Sequence, residues 1–218
     1  MAPLPNRVDP HSRVVATPAR GLFMGNRGCI HRADKTLKDR QWALTRWIVC
    51  LTEFRGRRRP LMAPGRYTEL FFLDEATALA AGHRPCAECR REDLQRFKAA
   101  WLRGQPNGPL TAAASLLDLD ALLHAERLDE EGRQRTFEAA LSMLPDGVLV
   151  DVPWLADQAH LWHGGALRPW SFGGYGDAMR TDPESVVRVL TPPSTVKALA
   201  AGYDPVLHPS ALDDASLR

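Results

Sequence analysis

Cys86 and Cys89 stand three residues apart, directly after Pro85 and at the head of an amphipathic stretch. A C-x-x-C at a helix N-terminus turns both sulfurs toward one ion, while first-turn N–H groups stabilise the thiolates. Nothing else in the chain constrains it as tightly, because the motif sets a turn, a helix start and two ligands together. Residues 90–102 read as the helix, with Leu94, Phe97, Ala100 and Trp101 at helical spacing. A closed tetrahedral site needs two more ligands. Cys29 and His31 follow a glycine-punctuated stretch, 21–28, and make a turn-borne pair. The expected set is therefore Cys29, His31, Cys86 and Cys89, holding Zn²⁺. Cys50 is the rival for one place, but it stands mid-strand between Val49 and Leu51, where an inert buried thiol is commoner. A redox C-x-x-C would sit in a βαβ pattern, which is not visible here.

The charges separate along the chain. Residues 1–104 carry 20 Lys/Arg and 10 Asp/Glu, whereas residues 105–218 carry 8 and 16. All four cysteines lie in the basic part. Basic residues beside a metal site are candidate phosphate contacts. They are Arg27 and Arg32 near the Cys29 turn, the run Arg55, Arg57, Arg58 and Arg59, and Arg90 and Arg91 at the helix start. Trp42 and Trp47 are candidates for stacking on bases or for the core. The partner expected from this pattern is nucleic acid, DNA in particular. No apolar run approaches the roughly 20 residues of a membrane span. The first residues lack a signal peptide's charged start and apolar run, so the cytoplasm, where thiols stay reduced, is the expected compartment.

Residues 1–20 read as an extended leader, 21–103 as a zinc-binding domain, 104–110 as a linker, 111–208 as an accessory module and 209–218 as a tail. Strands are expected at 47–54, 67–73, 148–152 and 186–190, with a hairpin turning at Gly164-Gly165. Helices are expected at 75–81, capped by Asp74 and stopped by Gly82, at 115–128, at 133–144, and before Gly202. An echo joins Ala78-Leu-Ala-Ala-Gly-His-Arg-Pro to Ala198-Leu-Ala-Ala-Gly-Tyr-Asp-Pro. His160 and His163 alternate on an expected strand, so they face opposite ways and make no obvious chelating pair. The fold class is α+β, with a treble-clef zinc domain followed by a small helical/β module.

The stretch Phe71-Phe72-Leu73-Asp74-Glu75-Ala76-Thr77-Ala78-Leu79-Ala80-Ala81-Gly82-His83-Arg84-Pro85-Cys86-Ala87-Glu88-Cys89 resembles the second half of the zinc-binding domain of the bacterial adaptive-response protein Ada. That family carries a short helix ending A-L-A-A-G, an aromatic residue, then R-P-C-x-x-C. His83 takes the aromatic place here. The resemblance implies an Ada-like fold, a structural zinc, DNA binding and a link to damage recognition or processing. In the family one of four cysteine ligands accepts a methyl group from a DNA phosphotriester. This chain has Cys29-x-His31 where the family has C-x-x-x-C. A three-thiolate, one-imidazole site is less anionic, so methyl transfer is not expected. Two other readings stand beside DNA binding. One is a treble-clef metal nuclease of the HNH kind, with His31 or His83 as base. The other is a structural zinc protein with a protein or small-molecule partner.

Overall fold

A six-residue helix, α1 (Glu75–Ala80), lies at the centre of the chain, and every residue of it is buried. Asp74 caps it by accepting the Thr77 N–H at 2.8 Å. Gly82, at φ +81°, ends it. The N–H of His83 reaches Ala78 O and that of Gly82 reaches Leu79 O, both at 2.9 Å, which is a Schellman closure. The computed structural model describes residues 2–57, 60–155 and 158–212.

A six-stranded sheet packs on either side of α1. The first holds β1 (Pro5–Val8), β2 (Val14–Ala16), β3 (Phe23–Asn26), β4 (Ile48–Leu51), β5 (Leu70–Phe72) and β6 (Arg84–Pro85), in the order β2-β1-β5-β3-β4-β6. The helices α2 (Arg91–Arg103) and α3 (Leu116–Arg127) follow β6. The second sheet is antiparallel, in the order β11-β10-β9-β8-β12-β7. Its strands are β7 (Phe137–Ala140), β8 (Val148–Asp151), β9 (Ala159–His163), β10 (Ala166–Ser171), β11 (Gly174–Tyr175) and β12 (Val186–Val189). The last helix is α4 (Pro193–Ala200). Ala78 and Ala81 face the first sheet among Phe23, Val49, Leu70 and Phe72. Ala76 and Ala80 face the second among Leu149, Leu161 and Trp170. Small side chains on both sides let two sheets approach one helix.

The α+β class is as expected, and so are the strands around 148–152 and 186–190 and the hairpin at Gly164-Gly165. Four places differ. Residues 5–8 and 14–16, expected in a leader, form a hairpin whose Asn6, Val8 and Asp9 are buried. The expected helix at 133–144 is strand β7, paired with β12 from Val189↔Phe137 to Val186↔Ala140. Cross-strand packing overrides the helical propensity there. The 104–110 stretch does not divide the core: Phe97 and Trp101 of α2 share one cluster with Val148, Val189 and Leu199. A Cβ on Gly104 would lie 2.4 Å from Lys197 O, so α2 and α4 meet at that glycine. In the expected tail, Ala211 is fully buried and Ser210 Oγ accepts the Tyr175 N–H at 2.8 Å.

Candidate metal centre

Strand register decides which side chains meet on the outer face of the first sheet. Met24 pairs with Cys50 on β4 and with Phe71 on β5, and Asn26 pairs with Ile48. Alternation then puts Met24, Asn26, Ile48, Cys50 and Phe71 on one face, with Phe23, Val49, Leu70 and Phe72 on the α1 side. Strand β6 runs parallel to β4, with Val49↔Pro85, and the Cys86 N–H donates to Val49 O at 2.9 Å. That one pairing draws the C-x-x-C turn alongside Cys50. Pro85 needs no donor there, because β6 is an edge strand.

The thiol sulfurs of Cys50, Cys86 and Cys89 consequently lie within 4.8 Å of one another. Tetrahedral Zn–S bonds of about 2.3 Å put sulfurs about 3.8 Å apart, inside that span. All four cysteines are free thiols. Hydrogen bonds from Cys50 and Cys89 hold the Cys86 thiol well below the ordinary range. Hydrogen bonding to Cys86 and Cys89, then burial, pushes Cys50 far up. Three thiolates this close repel one another, so all three ionise together only when a cation lies between them. The donor set therefore fits a metal ion.

The sulfurs form one wall of a cavity of about 480 Å³. Its floor is the sheet face just described, and Phe54 and Tyr67 also line it. Glu69, 4% exposed, lines it just before β5. Its Oε2 accepts the Met62 N–H at 2.8 Å, and Met62 is fully buried at φ +53°. A non-glycine residue held in that region costs about 1–3 kcal/mol and is met most often at functional sites. Arg57 donates to Glu88 Oε1 at 2.6 Å, and both residues line the cavity.

Cys29 and His31 are not in this group. Thr68 Oγ1 accepts the Ile30 N–H at 2.9 Å and lies 2.6 Å from His31 Nδ1; His31 Nε2 faces Ala63 O at 3.2 Å. A carbonyl only accepts, so Nε2 carries the proton and Nδ1 accepts from the threonine hydroxyl. Both ring nitrogens are thereby used within the protein. Cys29 Sγ lies 3.7 Å from His31 O and 3.9 Å from Lys38 Nζ. The ligand set read from sequence is corrected accordingly: Cys50 takes its place with Cys86 and Cys89. Trp47 and Val49, 1% and 0% exposed, show the buried face of β4, and their alternation is the signal that turns Cys50 outward.

The arginines divide. Arg27 is buried: its Nη2 donates to Ser12 Oγ at 2.8 Å, and its guanidinium lies 4.0 Å over the Trp47 ring. Burial, then repulsion from Arg127, lowers its pKa to about 9. Arg127 lies over the same ring at 4.7 Å, so Trp47 is core and cannot stack on a base. Arg90 is buried too, donating to Glu75 Oε2 at 2.9 Å and Asp93 Oδ2 at 2.8 Å. Arg27 and Arg90 are thus corrected from phosphate contacts to internal cations. Arg32 is exposed and donates to Leu37 O and Asp39. Arg55, Arg57 and Arg91 are exposed, while Arg58 and Arg59 lie outside the described residues. His83 accepts from Arg27 Nε at 3.3 Å, and burial with Arg27 and Arg127 drives its pKa well below the usual value. Among the described residues no histidine lines the cavity. His160 and His163 stay on opposite faces of β9, His160 buried and His163 3.5 Å from Asp146.

No protein family, curated protein or solved structure matches the chain. Among the described residues no helix is long and apolar enough to cross a membrane.

Proposed function

We propose that the chain is a zinc protein that engages nucleic acid, with the ion held by Cys50, Cys86 and Cys89 and its fourth place turned to the cavity. The observation that carries this is the meeting of three thiols at the wall of a cavity of about 480 Å³. Three thiolates with a free fourth place suit Zn²⁺, which when bound supplies a Lewis acid. What supports a treble-clef reading is the succession of strand β4, the C-x-x-C turn and α2; Cys29 and His31 do not join the thiol cluster as a knuckle would. Charge segregation, the exposed Arg55, Arg57 and Arg91, and the resemblance at 71–89 favour nucleic acid as partner. The open fourth place favours one second reading, a metal-dependent enzyme acting on the same polymer, without a histidine base.

Metal analysis of the purified chain tests the first half: one equivalent of zinc, kept by Cys29→Ser and His31→Ala and lost by Cys50→Ser. Zinc retained by Cys50→Ser would overturn the ligand set. Salt-dependent DNA binding tests the second half. Arg91→Ala and Arg57→Ala should each lower the log–log salt slope by about 0.9, while Arg27→Met should leave it unchanged. Binding that is absent, or indifferent to salt, would remove nucleic acid as the partner.

A further inference from the structure

We infer that the outer face of the first sheet carries an oxyanion subsite of the phosphate class, formed by Asn6, Arg7, Thr17 and Arg20 beside the metal cavity. That the phosphate belongs to a nucleic-acid strand rests on the reading above; the subsite itself stands on separate observations.

A β-bulge builds the corner. Pro5 pairs with Ala16 and Arg7 with Val15, so Asn6 is an extra residue on β1. A bulge re-aims a side chain, and here Asn6 Oδ1 accepts from Arg7 Nη1. Both residues line a cavity of about 230 Å³, together with Thr17 and Leu61. Asn6 is fully buried, and among the described residues its Nδ2 has no hydrogen-bond partner. Such a donor costs free energy unless water or a ligand meets it. Thr17 Oγ1 accepts the Ala19 N–H at 3.4 Å, which leaves its own hydrogen to donate. Arg7 Nε donates to Ala19 O at 2.5 Å, so the guanidinium reaches the residue before the exposed Arg20. Burial, then the Arg20 charge, lowers the Arg7 pKa. The partners of Arg7 are thus a carbonyl, an amide and an aromatic ring, and among the described residues no carboxylate lines the cavity. Two cations, an amide donor and a hydroxyl without a counter-ion suit the oxygens of a phosphate.

Size and place agree with a subsite rather than a whole pocket. Small-ligand pockets run to roughly 300–1,000 Å³, so this cavity suits one anionic group. Leu61, 37% exposed, is a wall of this cavity and of the metal cavity alike. The Arg7 guanidinium lies 4.7 Å over the Phe71 ring, and Phe71 also lines the metal cavity. Register sets Arg7, Phe71, Met24 and Cys50 in one row across β1, β5, β3 and β4. Three strand spacings, about 14 Å, separate the ends of that row. A ligand of that length can hold its phosphate at Arg7 and reach the ion. A phosphodiester of a strand and a free phosphate compound offer the corner the same oxygens.

The zinc-loaded full chain is titrated with inorganic phosphate, and with chloride at matched ionic strength, while NMR follows the arginine Nε–H and asparagine Nδ2 signals. Phosphate should shift the Arg7 and Asn6 signals saturably, and chloride should not. Arg20→Gln removes an exposed charge, and Asn6→Asp still accepts from Arg7 while it sets an anion in the corner. Arg20→Gln should weaken phosphate about ten-fold, the scale of one charge-assisted hydrogen bond. Asn6→Asp should abolish binding, and both variants should keep the parent's zinc content. A single-stranded oligonucleotide should displace phosphate from the Arg7 signal, which assigns the polymer as the source. Phosphate that binds as expected but is not displaced would keep the subsite, assign it to a free phosphate compound and overturn the nucleic-acid reading alone. The inference is overturned by an Arg7 signal that does not shift, by an equal shift with chloride, or by a phosphate affinity that Arg20→Gln leaves unchanged, whatever the oligonucleotide does.

Discussion

The segment from Asp74 to Cys89 ends in ionisable groups on both sides, and the two ends solve burial in opposite ways. At the start of α1, Asp74 and Glu75 are fully buried carboxylates. Asp74 accepts from Thr77 N and Oγ1, from Tyr175 OH at 2.8 Å and from the His208 N–H at 3.0 Å. Glu75 accepts from Arg90, from Tyr203 OH at 2.6 Å and from the Val206 N–H at 3.0 Å. Thr77 meets one Asp74 oxygen and donors from the chain's distant half meet the other three oxygens of the pair, so the cluster needs nothing from outside. At the other end, three thiols crowd within 4.8 Å, and among the described residues that line the cavity the one cation is Arg57, which is paired with Glu88. Buried charge met by internal partners ties the sheets together. Acid groups that crowd together with no more than backbone N–H groups to meet them, such as that of Glu88 3.4 Å from Cys86 Sγ, ask for an ion.

Removing the metal should give the largest effect. An ion held by ligands that the folded chain brings together adds its binding free energy to folding; closed four-ligand zinc sites reach about 10–16 kcal/mol, and the proposed three-thiolate site should give less. Chelation, or Cys86→Ser, should lower the Tm sharply. Amide exchange should then open β4, β6 and the 86–90 turn first, while β8, β9 and β10 stay protected by a core that needs no ion. Uniform opening of both sheets would break the comparison, because the thiol end would then hold up the architecture as well.

The acidic end comes next. Glu75→Gln leaves Arg90 with Asp93 as its remaining carboxylate, so the cost should fall below the about 3–5 kcal/mol of a buried charge left wholly unpaired. The denaturant midpoint should fall while the zinc stoichiometry stays at one. Loss of zinc in this variant would show that the two ends act as one unit. A cycle with Arg90→Gln should return a coupling energy of about 1 kcal/mol or more.

What the sequence made legible was local. Asp74 and Gly82 bound α1 as their chemistry requires, and the Leu94, Phe97, Ala100 and Trp101 stripe of α2 is buried. The echo between 78–85 and 198–205 is the same helix ending used twice. Gly202 sits at φ +90°, with Tyr203 N–H on Ala198 O, as Gly82 and His83 do after α1. What the sequence concealed was register. The parallel β4–β6 pairing spans more than thirty residues, and only it shows that Cys50, rather than Cys29 or His31, joins the C-x-x-C turn. Arg27 and Arg90 look like surface charges for the same reason, since their partners Ser12, His83 and Glu75 come from other elements. Strand β7 was hidden because its helical composition yields to a strand, β12, nearly fifty residues on.

The smallest effect distinguishes two capping carboxylates. Asp74 is fully buried, and desolvation raises its pKa in spite of the bonds from Thr77, His208 and Tyr175. Asp118, in the exposed capping box of α3, is lowered by the Ser115 hydroxyl and N–H. An unfolded aspartate titrates near 3.9. Asp74 therefore binds its proton more tightly folded than unfolded. Its contribution to stability is full below about 3.9 and is lost as the pH rises through the folded value. Asp118 has the opposite sign: its contribution is present above about 3.9 and is lost as the pH falls through its lowered folded value. Carboxyl-carbon NMR titration of the zinc-loaded chain should place the Asp74 midpoint above 3.9 and the Asp118 midpoint below it. Both midpoints falling on the same side would mean that the donors around Asp74 outweigh its burial. The acidic end would then hold a fully stabilised anion, and its contrast with the thiol end would be sharper than burial alone makes it.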